Sequence, residues 1–152
     1  MKLLEEKCEF PKMKLLKTPC IGKCSTTFGD DVCRGCRRFS EEIIQWNTYS
    51  AQAQANIWFR LNKQLDSVLL PQLPNINSTQ LYRFIENKNI RLPENTTLGR
   101  SCYTVIKFCQ KFPTFIQESG LNISIGHLEE ILSICEIQLY ENAKIEYNLL
   151  FN

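Results

Sequence analysis

The stretch "TPCIGKCSTTFGDDVCRGCRRFSEEIIQW", Thr18–Trp46, decides how the rest of the chain is read. It holds two pairs of cysteines. Three residues separate Cys20 from Cys24, two separate Cys33 from Cys36, and eight lie between the pairs. Each pair is close enough for both thiolates to reach one ion, and the gap lets the chain fold back. Four thiolates at such spacing suit a tetrahedral zinc ion. The same four suit an iron–sulfur cluster. Gly22, Gly29, Asp30, Asp31 and Gly35 mark tight bends, and no apolar periodicity runs through them. Residues 18–38 therefore read as a loop framework held by something other than a core, and chelation is expected to unfold them first. Gly35 inside "CRGC" suits a knuckle, because glycine accepts the dihedrals that turn backbone N–H groups toward sulfur. Lys23, Arg34, Arg37 and Arg38 offset the negative charge that four thiolates place on a dication.

Helix signals begin immediately after the second pair. Ser40 reads as an N-cap, with Glu41 and Glu42 in the first turn where the helix dipole favours negative charge. Phe39 and Ile43 form a staple across that cap, and Ile43, Ile44 and Trp46 give an apolar face ending near Asn47. Ser50 caps a second helix in which Ile57, Leu61 and Leu65 recur every four residues, widened by Trp58, Val68 and Leu69. Residues 71–77, rich in Pro and Asn, read as a linker. Beyond it Ser78 or Thr79 caps a third helix, a fourth is stopped by Pro113, and the longest is expected over 125–148. Leu128, Ile131, Leu132, Cys135 and Leu139 share one face of that last helix. The expected fold is mostly α: a basic lead-in at 1–17, a four-cysteine metal-binding module with a helical hairpin at 18–70, the linker, and a C-terminal helical bundle at 78–152.

Composition narrows the function classes. With 43% hydrophobic and 22% charged residues in 152, the chain reads as a soluble globular protein. Net charge is +2, but residues 1–38 carry nine Lys/Arg against five Asp/Glu, whereas residues 39–152 carry nine against eleven. A nucleic acid or anionic surface would meet the cysteine-rich end first. That excess is small beside dedicated nucleic-acid modules. No apolar run resembles a signal peptide or a membrane span, so a cytoplasmic protein is expected, where disulfides rarely persist.

The remaining reactive residues have simpler readings. Cys102 and Cys109 lie two helical turns apart, and with Cys135 they read as core-packing thiols. Cys8 lies too far from Cys20 to be a fifth ligand. His127 is the one histidine, so a histidine-rich centre is excluded and a Cys–His nucleophile has no local support. Trp46, Tyr49, Trp58 and Phe59 could stack on single-stranded nucleic acid, but a module this small needs aromatics for its core. There is no phosphate loop or nucleotide fingerprint. No catalytic constellation emerges, and an enzyme is not expected.

Pro19, Cys20, Gly22, Cys24, Cys33, Gly35, Cys36, Arg38, Glu42, Ile43 and Trp46 form an ordered pattern over about residues 18–60. In this it resembles the short YdhL-like family of bacterial proteins, a domain of unknown function often labelled a predicted Fe–S protein. The resemblance implies that Cys20, Cys24, Cys33 and Cys36 are shared metal ligands, and it leaves residues 71–152 unexplained. Spacing favours zinc, since paired knuckles are a zinc-ribbon-like layout, although the gap of eight is shorter than ribbons use. The expected function is a non-catalytic, zinc-binding interaction or adaptor module presenting Arg34, Arg37 and Arg38 to a protein partner. The alternatives are an iron–sulfur redox or sensor protein and, more weakly, nucleic-acid binding through the basic loop.

Overall fold

The computed structural model describes residues 17–22, 24–93 and 95–151. The lead-in up to residue 16, Cys8 and Lys23 lie outside them. The fold is mostly α. Five α-helices order the described chain: α1 Ser40–Ile44, α2 Ala51–Leu69, α3 Ser78–Asn87, α4 Leu98–Lys111 and α5 Ile125–Phe151. Short 3-10 turns sit at Ser25–Phe28, Trp46–Thr48, Leu70–Gln72 and Pro113–Glu118. The one β-type pairing among the described residues is the bridge between Val32 and Phe39.

Caps set the helix starts. The Ser50 hydroxyl accepts from Ala53 N–H at 3.1 Å, as expected. At α1 the expectation fails: Ser40 is the first helical residue and Phe39 precedes it. The Ser40 N–H is committed to Asp31 O at 2.8 Å across the bridge. Glu42 supplies the cap by accepting from the Phe39 N–H at 2.8 Å. At α3 the cap is Asn77, not Ser78 or Thr79, because its side chain accepts from Gln80 N–H at 3.1 Å. Thr97 caps α4, and Ser124 accepts from His127 N–H at 3.2 Å at the start of α5. The last helix runs to Phe151, three residues past the expected end.

α2, α4 and α5 pack together as the centre of the bundle, with α3 against α4. The main core takes Leu65, Val68 and Leu69 from α2 and Leu81 and Phe84 from α3. α4 adds Val105 and Ile106, and α5 adds Leu128, Ile131 and Leu139. Leu73, inside the expected linker 71–77, is 3% exposed and belongs to this same core. α2 thus shares its apolar face with the C-terminal helices. Gly99 is what lets α4 approach α2: a Cβ there would collide with Asp66 Oδ1 and stand 3.0 Å from its Cα. Gly120, at φ +81°, is pressed against Leu81 N and Asn77 O in the same way.

A second cluster gathers Trp46, Ile57, Trp58 and Leu61 with Tyr49, so these aromatics pack inward while Phe59 stays exposed. Ile44, expected on the apolar face of α1, is exposed, because the helix lasts one turn and the chain passes into a 3-10 turn that buries Trp46 instead. A third cluster joins Val32 and Phe39 to Ala143, Tyr140 and Tyr147 of α5. The cysteine-rich segment therefore has an apolar base after all, supplied by the last helix of the chain.

Candidate metal centre

The first cysteine pair lies on the exposed arm of the loop. Gly22, at φ +88°, turns the chain so that its N–H reaches Cys20 Sγ at 3.3 Å. Cys24 precedes the 3-10 turn Ser25–Phe28, which Gly29 closes at φ +99°. Its sulfur meets Thr26 Oγ1 at 2.8 Å. The hydroxyl of Thr26 lowers the Cys24 pKa, against burial and with help from Thr27.

The second pair sits in a closed turn. Cys33 N–H donates to Arg38 O at 2.9 Å, and Arg37 N–H donates to Cys33 O at 2.8 Å. Burial works to raise the Cys33 pKa. Backbone N–H groups of Cys36, Ser25 and Gly35, with the Cys36 side chain, outweigh it and bring the thiol down to about 7. Burial raises Cys36, partly offset by Arg38, whose Nε donates to Cys36 Sγ at 3.3 Å. The left-handed residue of this turn is Arg37, at φ 66°. Gly35, the residue expected in that role, lends its amide to the Cys33 sulfur instead.

Cys33 and Cys36 share a side-chain hydrogen bond, and the charge of Cys33 acts on Cys24. Cys20 is exposed on its arm. Among the described residues no three His, Cys, Asp or Glu side chains form a metal-ligand group, and none of the seven described cysteines is in a disulfide. The donor chemistry nonetheless fits a soft ion. N–H and O–H groups directed at sulfur favour the thiolate, which is the form a metal takes. Arg38 adds a cation beside Cys36.

Of the three arginines expected to face a partner, two do not. Arg38 is 2% exposed, between Cys36 and the ring of Trp46 at 5.1 Å. Arg37 is 3% exposed, its Nη1 donating to Gly35 O at 3.2 Å. Both turn inward because the Val32–Phe39 bridge folds the end of the loop back onto the helices. Arg34 alone reaches solvent, paired with Asp30 at 3.3 Å. Cys102, Cys109 and Cys135 are wholly buried, as their apolar settings suggested, and His127 is exposed.

Sequence reasoning missed the clamp that carries this loop. Glu42 grips Arg60 of α2 through two bonds of 2.6 and 2.5 Å while capping α1. It also missed Arg100 of α4, which donates to Asn62 Oδ1 at 2.8 Å beside Trp58. Burial first, then the nearby Arg37 charge, lowers its pKa to about 10. Thr104, Lys107 and Lys111 continue its side of α4, so the sequence places it on the polar face and offers no signal for this role. No curated protein and no solved structure matches the chain. Residues 18–65, which span both cysteine pairs, α1 and most of α2, match the model of a protein family of unknown function, DUF1289.

Proposed function

We propose that Cys20, Cys24, Cys33 and Cys36 bind one metal ion, zinc, and that the chain is a non-catalytic interaction module stapled by that ion. The observation that carries this is that each sulfur has a polar hydrogen directed at it: Gly22 N–H at Cys20, the Thr26 hydroxyl at Cys24, Arg38 Nε–H at Cys36, and backbone N–H groups at Cys33, where they outweigh burial and lower the thiol pKa. Burial also raises Cys36, with Arg38 beside it working the other way, whereas burial and the Asp66 charge together push Cys102 up to about 12. The ion would draw the Cys20 arm onto the packed second pair and fix the loop for a protein partner. Arg34 is the one of its three arginines left at the surface to meet that partner.

An iron–sulfur redox centre is the second reading, favoured by the same N–H groups on sulfur, which tune cluster potentials. Elemental analysis of protein purified without oxygen separates the two. Colourless protein with one equivalent of zinc supports the module. Brown protein whose visible absorbance fades on oxidation supports the cluster. Protein with neither metal after anaerobic purification and reconstitution overturns both.

A further inference from the structure

A groove of about 960 Å³ runs between the cysteine-rich loop and the α4–α5 pair, within the size range of small-molecule sites. Arg37 lines it. This side chain is only 3% exposed, and its Nε–H has no hydrogen-bond partner among the described residues. A buried cation with an unmet donor calls for an acceptor. Arg34 and Lys107 also line the groove. Each is already oriented: Arg34 by Asp30 at 3.3 Å and the ring of Tyr140 at 4.5 Å, Lys107 by Glu136 at 3.4 Å and the ring of Tyr103 at 5.7 Å. These half-exposed ion pairs are weak enough to be exchanged for a better anion. Arg38 is committed to Cys36 and takes no part. Of the described Arg, Lys, Asp and Glu side chains lining the groove, three are cations and one, Glu136, is an anion, while Asp30, bonded to Arg34, offsets a second cation. With both carboxylates exchanged away, the three cations suit a dianion such as a phosphomonoester. Beside the cations, Phe28 and Ile21 line the same groove with 90% and 56% of their surface exposed, large apolar groups without cover.

We infer that this groove binds a small phosphomonoester with an apolar or aromatic body, its phosphate over Arg37 between Arg34 and Lys107 and its body against Phe28 and Ile21. The groove as described belongs to the metal-free chain, because Cys24 and the arm from Ile21 to Phe28 form one of its walls. It is tested by titrating the isotopically labelled full chain, freed of metal, with phenyl phosphate, inorganic phosphate, benzoate and single-stranded DNA, following the Arg37 Nε–H resonance. Phenyl phosphate shifts that resonance saturably. It binds about fivefold more tightly than inorganic phosphate, through the buried ring. Lys107→Gln and Arg34→Gln, both at the surface, leave the spectrum of the fold intact and each weaken binding about tenfold. A linear, unsaturable response, or one unchanged in both variants, means an adventitious ion only and overturns the site. Benzoate binding as tightly as phenyl phosphate overturns the phosphate assignment. Saturation by single-stranded DNA without any response to phenyl phosphate overturns the small-molecule ligand.

Discussion

Replacing Glu42 tests whether the cysteine-rich segment is anchored by the clamp to α2. The Glu42 and Arg60 side chains are 12% and 21% exposed, and their contact is bidentate, so this pair differs from a solvated surface bridge. Glu42→Ala removes the acceptor for Phe39 N–H, worth about 1 kcal/mol for a lost cap. It also removes both charge-assisted bonds to Arg60, worth about 2 kcal/mol together. Arg60 is left lying over Phe39 at 4.2 Å with no carboxylate to balance it. The expected loss is therefore about 3 kcal/mol in urea denaturation, or a fall of about 6–12 °C in Tm for a domain of this size. Glu42→Gln keeps one oxygen, which still serves Phe39 N–H and one Arg60 N–H, but loses the charge and the second acceptor, so it keeps only the cap and falls by about 2 kcal/mol. In a double-mutant cycle with Arg60→Ala the coupling is about 2 kcal/mol. A Glu42→Ala loss below about 1 kcal/mol, or strictly additive single variants, refutes the clamp.

Gly99→Ala forces a methyl group onto the backbone and carboxylate of Asp66 and is expected to cost about 2–3 kcal/mol by chemical denaturation; a neutral result would mean that α2 and α4 are further apart. Burial raises Cys102 to about 12, with Asp66 adding to it, and raises Cys109 and Cys135 to about 11, from 9.0. The folded state thus binds more protons than the unfolded one over that interval, so stability is full below pH 9 and declines as pH rises toward 11. Melting curves from pH 8 to 10.5 should show the decline, and it should be shallower in Cys102→Ala. In metal-free protein an aromatic disulfide reagent should modify exposed Cys20 at once and Cys102, Cys109 and Cys135 only on unfolding. Fast labelling of any of the three would contradict their burial.

The bundle was legible because its signals are periodic. The four-residue spacing of Ile57, Leu61 and Leu65 and the face from Leu128 to Leu139 survive intact as buried stripes. Caps were less legible. Ser40, Asn77 and Ser78 all have capping side chains, and local sequence does not say which residue the incoming chain leaves extended. At α1 the choice was made by the Val32–Phe39 bridge, a pairing that no helical pattern announces. In the loop, the cysteine pairs marked the site, whereas the fate of the arginines depended on that same bridge. "CRGCRR" reads as a cationic tip when exposed. Folded back, it places Arg38 on Trp46 and Arg37 in the interior. The Glu42–Arg60 clamp was out of reach because eighteen residues and two turns separate its ends.

The C-terminal helix changes what metal binding has to accomplish. A loop without a core would depend wholly on its ion, but here Val32 and Phe39 are 2% and 4% exposed against α5. The Phe39 ring meets Tyr147 at 5.4 Å and Phe151 at 5.8 Å. The second cysteine pair thus stands on a packed base, while Cys20 and Cys24 lie on an arm with no buried residue in its 3-10 turn. Chelation should accordingly act unevenly. Amides of the arm, residues 20–29, exchange quickly once the ion is removed. Those of Cys33 and Arg37, bonded across the closed turn, stay protected. Equal exchange in both halves would mean that the metal, and not α5, holds the base. A chain ending at residue 70 separates the same two causes from the other side. It keeps all four thiols but strips the cover from Val32 and Phe39, so its affinity for zinc should fall even though no ligand has been touched.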